Sequence, residues 1–151
     1  GDPGVATRDS GEMLLEIIPS KVAPTNDRTS AQIIQRFYDL GVYPDWWKLE
    51  PFTSDAAWEN ACAAITANDP HVRGIVVLGL DASEADLSAS LALAAKHPLV
   101  RGFAIGRTIF GDAARGWLKG EMTDAAAVTM MSDRYARLAA LWDKVREGAK
   151  A

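Results

Sequence analysis

The sequence has a single cysteine, Cys62, and only two histidines, His71 and His97. One cysteine excludes an internal disulfide and fits a reducing, cytoplasmic compartment. Two histidines are too few to build a multi-histidine zinc site. Each sits beside a proline just ahead of an apolar run, where an exposed turn is expected. No basic run occurs, and a net charge of -4 with an isoelectric point near 5.1 leaves no electrostatic footprint for nucleic acid or an anionic membrane. No apolar run reaches membrane-spanning length, and the first residues lack the charged and apolar blocks of a signal peptide. GxGxxG and phosphate-loop lysine motifs are both missing, which argues against a nucleotide site. A small-molecule partner is favoured, with no nucleic acid, membrane, metal or cofactor implied.

What is present is an ordinary globular composition, 48% hydrophobic and 24% charged over 151 residues, enough for one domain and one core. Gly1 to Gly11 has a linker's composition, rich in Gly, Asp and Ser, and reads as a tail or the scar of a truncation. From Glu12 onward a short apolar run followed by a capped helix recurs. The first run, Met13 to Ile18, is nearly continuous, as strands buried on both faces of a parallel sheet are, and Pro19 stops it. Glu16 is its anomaly, because a carboxylate inside such a run is rarely buried without a partner. A helix is predicted from about Asp27 to Gly41, the glycine suiting a left-handed C-terminal cap. The second helix follows Thr53-Ser54 and buries Trp58, Ala61, Cys62 and Ile65 on one stripe, making Cys62 a small core residue.

Gly74 to Asp81 is the third strand, and Gly79 within it suggests close approach by another backbone or a ligand, or a bulge. Ser83 to Asp86 resembles a capping box opening the third helix. Gly102 to Arg107 is the fourth strand, followed by a short helix from Asp112 to Leu118. A glycine and an arginine at a strand end offer open backbone N–H groups and a bidentate cation, which suit a phosphate; the alternative is an arginine in a surface ion pair. The last helix is capped near Thr123-Asp124 and carries Val128, Met131, Tyr135, Leu138, Trp142 and Val145 at alternating spacings of three and four. This is the seam of a helix that closes the fold or forms a dimer contact.

The segment Trp46-Trp47-Lys48-Leu49-Glu50-Pro51 is the most informative. Side chains alternate along a strand, so Lys48 and Glu50 share a face with Trp46, and Trp47 and Leu49 share the other. An ammonium among large apolar neighbours must be paired or neutralised, which makes Lys48 a candidate imine-forming nucleophile. The alternative is a strand-end lysine that snorkels to water above a packed stem.

Four strand–helix pairs in series indicate an α/β fold with a parallel sheet and right-handed crossovers. An open doubly wound sheet and part of an eight-stranded barrel both fit, and in both the ligand binds at the strands' C-terminal ends. Glu16, Lys48, Glu50, Gly79, Asp81, Gly106 and Arg107 all fall toward those ends.

Met13 to Lys21 (MLLEIIPSK), Tyr43 to Thr53 (YPDWWKLEPFT), Arg73 to Asp81 (RGIVVLGLD) and Gly102 to Asp112 (GFAIGRTIFGD) resemble the C-terminal part of an aldolase-like barrel domain. That domain is fused behind 5-dehydro-2-deoxygluconokinase in bacterial inositol catabolism. More distantly the pattern is similar to class I tagatose-bisphosphate aldolases. The resemblance spans about Glu12 to Glu147 and implies the C-terminal half of a TIM (β/α)8 barrel, four βα units, with residues 12–151 as one domain. It implies Lys48 as the Schiff-base lysine and Glu16 as the acid/base carboxylate. Glu50 would tune Lys48, Gly106 and Arg107 would hold a substrate phosphate, and Gly79 would give backbone room beside it. The implied reaction is cleavage of 2-deoxy-5-keto-gluconate 6-phosphate to dihydroxyacetone phosphate and malonate semialdehyde. A further lysine and aspartate from the first half of the barrel would complete the site, so the expected partner is that half or a second copy of the chain. The other reading is a non-catalytic module that binds a sugar phosphate or supports a carbohydrate kinase.

Overall fold

The structure is a computed structural model that describes residues 11–79 and 84–149. Most of the linker-like start, Asp81 and the Ser83 end of the expected capping box therefore lie outside the described residues. Four short strands, β1 (Leu14–Ile17), β2 (Trp46–Leu49), β3 (Gly74–Val77) and β4 (Val100–Phe103), form one parallel sheet in the order β1-β2-β3-β4. Helices α1 (Thr29–Asp39), α2 (Asp55–Asn68) and α3 (Glu84–Ala94) connect them, and α4 (Arg107–Leu118) and α5 (Asp124–Gly148) follow β4. The strand order never reverses, as it would at the switch point of a doubly wound sheet.

One face of the sheet carries the core. Ile17, Trp47, Leu49, Ile75, Val77 and Val100 are buried there against Ile34, Tyr38, Trp58, Ile65, Leu87, Leu91 and Leu138 of the helices. Burying side chains of this size contributes about 1.5–3 kcal/mol each. Trp47 is the centre: its indole N–H donates to the Tyr38 hydroxyl at 3.0 Å, and Phe37 and Tyr38 meet it edge-on. Satisfying that donor is what allows a tryptophan to be wholly buried.

The opposite face corrects the expectation of strands covered on both sides. Leu14 is 49% exposed, and Trp46, Lys48 and Val76 are only half-buried. The apolar run at Met13 to Ile18 is continuous in composition, but in the structure only Ile17 of β1 is fully enclosed. The last helix differs similarly. Leu138 is buried and Trp142 and Val145 pack on the core, yet Val128 and Tyr135 in its first half are 57% and 58% exposed.

Local signals placed the element ends. After α1 the N–H of Gly41 bonds to the Tyr38 carbonyl and that of Val42 to the Phe37 carbonyl, with Gly41 at φ 76°. This is a Schellman cap, and the left-handed residue in it favours glycine. Ser54 caps α2: its Oγ accepts from the Ala57 N–H at 3.2 Å and donates to Asp27 at 2.5 Å. His97 departs from the exposed turn expected of it. Its side chain is 13% exposed, with Nε2 2.8 Å from Asp55 Oδ1 at the start of α2 and the ring stacked near Trp58.

Two predictions follow from this packing. Ser54→Ala removes the cap and is expected to cost about 1 kcal/mol in urea denaturation; a change within error would mean that water replaces the hydroxyl. Burial pushes the Cys62 thiol up from 9.0 to about 11. Between those values the folded chain keeps a proton that the unfolded chain has lost, so stability falls as pH rises through that window. The loss between pH 8.5 and 10.5 should be smaller in Cys62→Ala than in the unsubstituted chain, and equal losses would contradict the assignment.

Candidate active site

The open face of the sheet has its own register. Glu16 of β1 lies directly beside Lys48 of β2, which lies beside Val76 of β3, which lies beside Gly102 of β4. In that row Lys48 Nζ reaches Glu16 Oε1 at 2.9 Å. The lysine side chain is 24% exposed and the carboxylate 41%, so the pair is partly desolvated on the lysine side and open on the other. Cross-strand neighbours sit about 5 Å apart at Cβ, close enough for a long amine to meet a glutamate with no backbone adjustment.

Toward the C-terminal ends of the strands this row opens into a cleft of about 300 Å³. Glu16, Lys48, Gly79, Gly106 and Arg107 all line it, so the structure brings together residues expected from four separate strand ends. The fourth wall differs from expectation in its backbone. β4 stops at Phe103, and Arg107 is the first residue of α4 rather than the last of the strand. Helix geometry begins at once, since the N–H groups of Ile109 and Phe110 both bond to the Gly106 carbonyl. The start of a twelve-residue helix, α4, thus faces the cleft. Its first N–H groups and its dipole favour an anion there.

The glycines are explained by close approach. A Cβ on Gly106 would lie 3.0 Å from the Phe110 ring, and one on Gly79 would lie 3.0 Å from Ile105 and 3.4 Å from the Thr108 hydroxyl. At Gly79 the approaching group in this structure is thus the segment between β4 and α4.

Glu50 behaves differently from its expected role beside Lys48. β2 ends at Leu49, so strand alternation does not govern Glu50. Its carboxylate is buried, 5% exposed, and accepts from the Ser20 hydroxyl at 2.5 Å. It is not among the residues lining the cleft. The partner of Lys48 is Glu16.

Sequence reasoning missed Lys21 and Thr108, which also line the cleft. Lys21 ends the short 3-10 turn Pro19–Lys21 after β1. Its signal was its place in a strand-to-helix loop on the same rim, where functional side chains concentrate. A larger groove of about 690 Å³ runs between α4 and α5 and shares Arg107, Thr108 and Phe110 with the cleft. Asp112 in that groove is held below the usual carboxylate range by hydrogen bonds from Arg134 and then Arg115. A carboxylate kept ionised by two arginines is a poor base, whereas in the smaller cleft an amine, Lys48, and a carboxylate, Glu16, are in contact.

No helix among the described residues is long and apolar enough to cross a membrane. No curated protein and no solved structure matches the chain. A family model described as an uncharacterised protein conserved in bacteria matches residues 5–146. The chain therefore belongs to this DUF2090 family.

Proposed function

We propose that this chain is the C-terminal half of a class I aldolase barrel, acting through a Schiff base at Lys48. The observation that carries the reading is the contact between Lys48 and Glu16, 2.9 Å apart, in a cleft closed on another side by the start of α4. A phosphate seated at Gly106 and Arg107 would fix the substrate so that its ketone reaches Lys48. Such positioning is a major source of rate in two-part reactions.

The residues present can perform each step. The neutral Lys48 amine adds to the ketone carbon, and the carbinolamine hydroxyl takes a proton from solvent and leaves as water, giving an iminium. Glu16 removes the proton from the hydroxyl on the carbon beyond the bond to be broken. That carbon–carbon bond then cleaves, an aldehyde leaves, and the bonding pair moves into the iminium to give an enamine. Proton return to the enamine carbon and hydrolysis of the imine release the second product and restore the amine. Water supplied at the last step balances the water lost at the first, and the bound lysine makes the iminium the electron sink.

The substrate proposed on the family resemblance is a phosphorylated keto-sugar acid, 2-deoxy-5-keto-gluconate 6-phosphate, in inositol catabolism. Sequential strand order and a one-sided helix layer support the half-barrel. A full barrel takes about 250 residues and eight strands, so the open face and the two outer strands would be covered by an N-terminal half or by a second copy. The ion pair itself favours one further reading. Lys48 held by Glu16 is also what a non-catalytic sugar-phosphate module, attached to a carbohydrate kinase, would contain.

Borohydride trapping with dihydroxyacetone phosphate, read by intact mass, separates the two. A borohydride-dependent adduct is expected on the chain, alone or joined to a companion half-barrel, and is expected to be lost in Lys48→Ala. No adduct in either form would sink the Schiff-base reading and leave the binding module. Glu16→Gln is expected to keep the adduct while slowing turnover by roughly a hundredfold or more. Unchanged turnover would remove Glu16 from the proton-transfer role.

A further inference from the structure

We infer that Lys21 forms a second anion subsite in this cleft, one that takes a substrate carboxylate, and that Glu50 positions it through Ser20. The identity of the ligand as a keto acid rests on the aldolase reading proposed above, whereas the subsite rests on geometry.

Lys21 follows β1 and Arg107 follows β4, the two outer strands of the sequential sheet. Both line the cleft, with Lys48 on β2 between them. Three inter-strand spacings separate β1 from β4, about 14 Å along a flat sheet and less across a curved one. The cleft therefore has a cation at each end and the nucleophile inside. Its one lining carboxylate among the described residues is Glu16, which is engaged by Lys48. A ligand whose phosphate sits at the start of α4 would extend its other end toward Lys21.

A lysine on a surface turn is useful for recognition only if the turn is fixed. Pro19 presets the backbone at the start of the turn, and the N–H groups of Val22 and Ala23 both bond to its carbonyl, at 2.9 Å and 3.1 Å. The Ser20 hydroxyl then donates to Glu50 Oε2 at 2.5 Å. Glu50 is 5% exposed, and a carboxylate that deep is retained only where something compensates for its lost water. Its bond ties the turn after β1 to the end of β2, one residue before Lys21. Buried Glu50 thus acts on the cleft by holding the loop rather than by touching the reacting atoms.

The two ends suit different anions. Arg107 and a helix start present several donors to one phosphate. Lys21 is a single compact charge on a flexible stem, enough to pair with one carboxylate at the ligand's other end. The substrate class is a linear phosphorylated keto acid with its acidic groups at opposite ends and the ketone between them.

The test uses two probes without a ketone, 6-phosphogluconate and sorbitol 6-phosphate, which differ in a carboxylate against a hydroxymethyl. Calorimetric titration of the intact chain is expected to show 6-phosphogluconate bound about tenfold more tightly. Lys21→Met should abolish that preference and leave sorbitol 6-phosphate unchanged, and Lys21→Arg should retain it. Ser20→Ala, with its helical circular dichroism intact, should lose part of the preference without weakening sorbitol 6-phosphate. Equal binding of the probes, binding of neither, or a preference that survives Lys21→Met would overturn the subsite; a preference untouched by Ser20→Ala would overturn the positioning role. Because neither probe forms an imine, failure of borohydride trapping with the preference intact would remove the aldolase reading alone.

Discussion

Strand alternation is the constraint on which the site depends. Trp47 and Leu49 must enter the core, because nothing else of their size fills the space between β2 and the helices. Lys48 lies between them and must therefore face the other way. Parallel pairing in register then sets Glu16 beside it, since Ile17 and Leu49 enter the core as neighbours one position further on. A shift of one residue in β1 would put Glu16 into the core and Ile17 into the cleft, so core packing and the Lys48–Glu16 contact select the same register. The site's geometry is a consequence of how the hydrophobic face packs.

The same logic explains what was legible in the sequence. Parallel strands, their order along the chain, the Gly41 cap, the Ser54 cap and the stripe of α2 all follow from local patterns, and the structure contains them, with Trp58, Ala61 and Ile65 of that stripe buried and Cys62 half-buried. Glu16, Lys48, Gly79, Gly106 and Arg107 were legible as a group because strand ends in such a fold share one rim. Glu50 was not, since alternation was carried one residue past the end of β2. Its partner Ser20 lies thirty positions away, beyond any local pattern. The start of α4 was misplaced for a related reason. Gly106 and Arg107 continue an apolar run, and only the bonds from Ile109 and Phe110 back to the Gly106 carbonyl reveal a helix there. His97 was read from its proline neighbour, whereas its environment is set by Asp55 and Trp58 from another element.

The exposed residues fall in a pattern consistent with the half-barrel proposal. Leu14 on β1 and Tyr135 and Val128 on α5 are about half exposed, whereas Ile17 on β1 and Leu138 on α5 are buried. In a closed barrel β1 and β4 would each gain a partner strand. The row Glu16, Lys48, Val76 and Gly102 would then become part of the barrel interior. Small residues at Gly102 and Gly74 suit such a place, where opposing strands bring their side chains together. Gly74 already has Arg101 and the Leu99 carbonyl too close to admit a Cβ.

Closure would also change the electrostatics of the site. At present Glu16 is 41% exposed, and water screens its attraction for Lys48. Covering the face would remove that water from both partners, and two charges taken out of water together are favoured only when well paired. On the half-barrel reading, enclosing the sheet thus does more than complete the fold, because it makes the Lys48–Glu16 contact depend on its own geometry rather than on water.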